Sequence, residues 1–275
     1  MKNNMSYKNY QRLFAFGCSI TSYNWLTWAD IIGVNFPKYY NYGLAGCSNT
    51  FIMNRFFEAN KKHTFDKNTD LVMIGITGFG RFTYWPRRRN WYPRGDIAHG
   101  IDDPTLNAFL TDMWSEDWAV YQSWIAISSV KQLLDLLGID YKFFQAVEID
   151  HYLSKELTDI KEDSIKKAQE VVSWGQGLNF EHWKTKNKLN AISPYFHEQK
   201  GVDGHPSGTV HLKFVQDHFP EFLSEKSNEL VDYWEKNFDH SASINMTNKF
   251  NKNFKANHDL GFLDTDGNRY SVILD

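Results

Sequence analysis

The chain has 275 residues, of which 42% are hydrophobic and 16% aromatic, enough apolar surface for one globular α/β domain with insertions and too much for a disordered chain. Its net charge of -3 supplies no overall basic field for a nucleic-acid backbone, so no nucleic acid is expected as a partner. Two cysteines, Cys18 and Cys47, are too few for a disulfide scaffold or a thiolate zinc site, and residues 1–17 hold no apolar stretch long enough for a signal peptide or a spanning helix. A cytoplasmic protein without membrane contact is expected, or a virion-associated one if the chain is phage-encoded.

RLFAF at residues 12–16 reads as a buried strand that stops at Gly17. Trp25, Trp28, Ala29, Ile31 and Ile32 then recur at helical spacing. A second strand fits residues 39–42, followed by the small-residue segment GLAGCSN and a helix over 50–59. DLVMIGIT, residues 70–77, is a nearly continuous β-branched and apolar run, as expected of a strand covered on both faces. Residues 78–104 form a long irregular segment rich in Arg, Trp and Tyr, and loops of that length are usually functional.

Residues 106–137 are helical in pattern, with Trp118, Tyr121, Trp124, Ile125, Val130, Leu133 and Leu137 on one apolar stripe, and Gly138 ends them. YKFFQAVEI, residues 141–149, is the fourth strand; a charged, partly helical insertion follows at 154–177, and a helix over 209–225 comes after DGHPSG. Alternating strands and helices predict a three-layer αβα fold on a flavodoxin-like parallel sheet of about five strands with insertions. Residues 1–240 are assigned to this domain. Residues 241–275 form a C-terminal extension in which Asp266-Gly267 signals a hairpin.

Ser19 lies in Gly17-Cys18-Ser19-Ile20-Thr21, on a sharp turn between a buried strand and a helix. That is the carboxyl edge of the sheet, where α/β proteins place ligands and a helix amino end favours negative charge. A serine hydroxyl is nearly inert at neutral pH, so it needs a base in hydrogen-bond reach and a group to orient that base. Among ten histidines, His205 stands in Asp203-Gly204-His205-Pro206. There glycine lets the chain turn, proline fixes the next backbone angle, and Asp203 is close enough to hold the imidazole tautomer. The same residues also read as an ordinary turn with an Asx bond.

Taken in order, FGCSIT, NYGLAGCSN, DLVMIGIT and DGHPSGTVH resemble the four sequence blocks of the SGNH/GDSL hydrolase family, over roughly residues 13–218. The likeness is to divergent bacterial and phage members with GCS in place of GDS. It implies that Ser19 is the nucleophile and its N–H an oxyanion donor, that the Gly46 N–H is a second donor, and that His205 is the base with Asp203 as its orienter. This chain departs from the family pattern by carrying Thr77 where an asparagine is the third donor. It also has one residue, Gly204, between acid and histidine where the family has two, so a backbone carbonyl is an alternative orienter.

Asn49 either braces the turn after Gly46 or contacts substrate. Arg81 either reaches a substrate carboxylate or stays solvated. Tyr84 and Trp85, in the Arg-rich aromatic segment 81–94, either stack on sugar rings or tuck into the core. The expected activity is hydrolysis of a small-molecule or carbohydrate ester, with O-acetyl groups as the candidate, through an acyl-enzyme and without metal or organic cofactor. Two alternatives stand beside it. One is a catalytically weak SGNH-like binding or structural protein, with a virion partner or a second copy held through the extension; the other is an acyltransferase using the same serine.

Overall fold

The structure, a computed structural model, describes residues 10–23, 26–83, 112, 115–146, 192 and 205–237. Four strands form a parallel sheet in the order β2-β1-β3-β4: β1 (Arg12–Phe16), β2 (Lys38–Asn41), β3 (Asp70–Ile76) and β4 (Asp140–Gln145). About five strands were expected, and four are present among the described residues. Every residue of β3 is buried, which is why its sequence is continuously apolar after Asp70 instead of alternating. The edge strand β2 begins with exposed Lys38 and ends in Asn41.

Register shows that helices cover both faces. Phe16, Ile74 and Phe143 are aligned partners on one face, and Gly75 and Phe144 are aligned on the other. Phe16 meets Phe56 of α2 (Asn49–His63) edge-on, with ring centroids 5.7 Å apart. Phe144 meets Trp28 of α1 (Trp28–Gly33) at 4.9 Å and Phe214 at 5.2 Å. Helix α3 (Glu116–Leu137) packs on α2, while α4 (Gly208–His218) and α5 (Glu225–Asn237) pack with α1. The fold is therefore a three-layer α/β fold with a parallel sheet in the middle.

Helix boundaries differ from the sequence reading for local reasons. Helix α2 runs one turn beyond Ala59, because Lys61, Lys62 and His63 lose the apolar pattern but suit the negative end of a helix. Gly138, at φ +67, closes α3 as expected, although Trp118 on the anticipated buried stripe is exposed. The single helix expected over 209–225 is interrupted. Pro220 has no N–H to donate and restricts Phe219, so α4 stops at His218, a short 3-10 turn spans Pro220–Phe222, and a separate α5 follows. The signal for α5 was present in Leu230, Val231 and Trp234, which recur at helical spacing and are all buried. The extension at 241–275, with its hairpin, lies outside the described residues.

A charged lock holds the sheet at the edge opposite Ser19. Arg12 Nε and Nη2 donate to the two carboxylate oxygens of fully buried Asp70, both at 2.6 Å. The same guanidinium donates to the carbonyls of His63 and Thr64, at 3.2 and 3.1 Å, and so caps the end of α2. One side chain thus joins β1, β3 and α2. Arg12→Ala leaves a buried carboxylate without its counter-charge, and is expected to lower the unfolding free energy by about 3 kcal/mol in urea denaturation.

Candidate active site

The winding of the sheet reverses between β1 and β3, the position at which open α/β sheets bind ligands beyond the carboxyl ends of their strands. Ser19 follows β1 and Thr77 directly follows β3, so both stand at this switch point. Ser19 occupies a turn in which the Cys18 carbonyl accepts from the N–H groups of Thr21 and Ser22, at 2.9 and 3.0 Å. Gly17 makes that turn possible, since a Cβ there would fall 2.1 Å from Thr21 Oγ1 and 3.1 Å from the Gly75 carbonyl. Thr21 is fully buried; its hydroxyl receives Trp28 Nε1 at 3.3 Å, and its carbonyl receives Thr27 Oγ1 and Asn41 Nδ2, both at 2.8 Å.

The expectation that a helix starts at the serine turn is corrected. Helix α1 begins at Trp28 after the cap residue Thr27, so Ser19 lies in the preceding loop and not at a helix amino end. What fixes the serine is the Thr21 hydrogen-bond network.

His205 sits just before α4, whose cap residue Ser207 accepts from the Val210 N–H at 3.4 Å. The start of α4 presses on its neighbours, since a Cβ on Gly208 would meet Trp234 at 3.3 Å and Leu26 at 3.4 Å. This packing carries His205 over the serine turn. His205 Nε2 lies 3.0 Å from Ser19 Oγ, between residues 186 apart in the chain, and Ser19 is only 5% exposed. At that distance the two are hydrogen-bonded, and in the tautomer that leaves Nε2 without a proton the hydroxyl donates to it. The ring of Tyr23 stacks on the imidazole, with centroids 4.0 Å apart and planes 19° apart. Asp203, Tyr84 and Trp85 lie outside the described residues.

Gly46, at φ +77, shapes the turn between β2 and α2. That turn is tied to the serine loop through Gly17, whose carbonyl accepts from the Leu44 N–H at 2.9 Å and from Cys47 Sγ at 3.3 Å. Among the described residues no backbone carbonyl accepts from the N–H of Ser19 or of Gly46. Asn49 is turned inward. Its Oδ1 accepts from the Thr77 N–H at 3.0 Å and its Nδ2 donates to the Thr77 carbonyl at 2.9 Å, so its buried carboxamide clasps the end of β3 to the start of α2.

Thr77 is fully buried, and its Oγ1 accepts from Arg81 Nη1 at 2.6 Å. Arg81 is therefore folded back beneath the serine loop. Burial alone would push the Cys18 thiol up. The charge of Arg81, a backbone bond from Ile20 and bonds from the Thr77 and Arg81 side chains outweigh it, and the thiol lies below its ordinary value. Burial drives Cys47 the other way, reinforced by repulsion from neighbouring Cys18 whenever that thiol is ionised. Sequence reasoning missed Tyr23, the Thr21 network and the Arg81–Thr77 bond. Only the glycines at 17 and 75, which make room for Thr21, hinted at so close a crossing.

The chain matches no protein-family model, and no curated protein matches it. Among the described residues no group of three or more His, Cys, Asp or Glu is arranged to hold a metal, and no helix is long and apolar enough to cross a membrane. In a Cys47→Ala background, Arg81→Met removes the cation that favours the Cys18 thiolate. Ultraviolet thiolate absorbance is then expected to show Cys18 ionising at a higher pH than with Arg81 present.

Proposed function

We propose that the chain is a serine-dependent ester hydrolase of the SGNH/GDSL kind, acting on a small-molecule or carbohydrate ester with O-acetyl groups as the first candidate. The observation that carries the proposal is the 3.0 Å approach of Ser19 Oγ to His205 Nε2 across 186 residues of chain. An isolated serine lacks nucleophilicity, and a neutral imidazole at this distance supplies the missing proton acceptor.

Ser19 Oγ attacks the ester carbonyl carbon as His205 Nε2 takes its proton. The resulting oxyanion is held by the N–H groups of Ser19 and Gly46, and the loops carrying them are joined through Gly17. Collapse breaks the bond to the alcohol, which leaves with the proton from His205. Water then gives a proton to His205 and attacks the acyl-enzyme, and the returning proton frees Ser19 as the carboxylic acid departs. If another alcohol replaces water in the second half, the same residues perform acyl transfer. Every bond change in this sequence is carried by protein side chains and water.

Ser19→Ala and His205→Ala are each expected to lower the kcat for p-nitrophenyl acetate by at least about 1000-fold, leaving melting temperature unchanged. Hydrolysis by Ser19→Ala at the rate of the unaltered protein overturns the proposal.

A second reading is favoured by Thr77, whose buried hydroxyl accepts from Arg81 and gives its own bond to the Cys18 sulfur. Loss of one oxyanion donor costs roughly 100- to 1000-fold in turnover, so the domain would be a weak catalyst used for binding or assembly. A serine-directed fluorophosphonate separates the readings. Covalent labelling at Ser19 is expected for the hydrolase; absence of labelling, with stable association that requires residues 241–275, supports the binding protein.

A further inference from the structure

The loop that presents the nucleophile also carries Tyr23, four residues beyond Ser19, and the Tyr23 ring lies almost flat on the His205 imidazole. A general base works only in the orientation that aims its lone pair at the hydroxyl, and an imidazole on a loop has two side-chain torsions to control. A ring 4.0 Å from the imidazole centroid and 19° from its plane blocks rotation about the second torsion, because turning the imidazole drives its edge into the tyrosine face. That wall is itself held, since the loop is anchored by the bonds from Trp28, Thr27 and Asn41 to Thr21.

Stacking constrains the ring without using either ring nitrogen. Nε2 therefore remains directed at Ser19. The π face also meets the imidazolium that forms when the serine proton is transferred, a geometry that favours positive charge.

We propose that Tyr23 is the positioning residue of His205, acting through its ring face and not its hydroxyl; this rests on the Ser19–His205 acyl-transfer reading above. Ser19 and the wall behind its base thus come from one loop, so both move together if that loop shifts.

The test compares Tyr23→Phe, Tyr23→Leu and Tyr23→Met with Ser19→Ala in the full chain, measuring kcat and KM for p-nitrophenyl acetate, the rate of fluorophosphonate labelling and the melting temperature. Tyr23→Phe keeps the flat face and is expected to stay within about twofold of the unaltered protein. The leucine and methionine variants fill the space without that face. Whichever of them melts with the unaltered protein is expected to lose roughly tenfold or more in kcat and in labelling rate, with KM within about threefold. Unaltered kcat and labelling in that variant, or a phenylalanine variant as slow as it, overturns the role of Tyr23. If Ser19→Ala is inactive while the leucine and methionine variants are fully active, only the Tyr23 proposal falls. If Ser19→Ala itself retains full activity, the hydrolase reading falls with it.

Discussion

At Gly17 there is room for a hydrogen atom and nothing larger, and the arrangement of the site follows from that. The missing side chain lets the Thr21 hydroxyl reach back against the strand it has just left, close to the carbonyl of Gly75. Thr21 then becomes a buried hub. It is bonded by an indole from the first helix, a hydroxyl from that helix's cap and a carboxamide from the end of β2. An unpaired polar group at such depth is costly, so the network has strong reason to be complete. Ser19, two residues earlier, inherits its position from the core.

The second half of the site is brought in by helix packing. The start of α4 leans on Trp234 of α5 and on Leu26, and the residue two before its cap is the imidazole. Burial of Leu230, Val231 and Trp234 holds α5 against this corner, so packing of α5 sets the height of His205 above Ser19. Beneath the site, polarity is organised by one cation. Arg81 is bonded to Thr77, favours the ionised form of Cys18 and opposes the upward push of burial on Cys47.

Much of the sheet was legible because buried strands advertise themselves. RLFAF and DLVMIGIT contain unbroken apolar runs, and both coincide with β1 and β3 to within a residue. Helix ends were less legible. Residues 61–63 belong to α2 through charge, not hydrophobicity, and Pro220 divides what a continuous pattern presents as one helix. Ser19 and His205 could be picked out as a pair from short motifs, because glycine and proline around a reactive residue leave a local mark. Tyr23, Asn49 and Arg81 act through contacts with His205 and Thr77, which no local pattern encodes. Asn49 in particular stands beside the expected donor Gly46, yet both ends of its amide serve the backbone of β3.

The distance along the chain between Ser19 and His205 has a consequence for synthesis. Ribosomes add about 5–20 residues per second, so the serine emerges roughly 10–40 s before the histidine 186 positions later. Until then the Ser19 hydroxyl lacks the imidazole with which it is hydrogen-bonded in the complete fold. On the proposed hydrolase reading, reactivity at Ser19 is coupled to completion of the helical corner formed by α4 and α5.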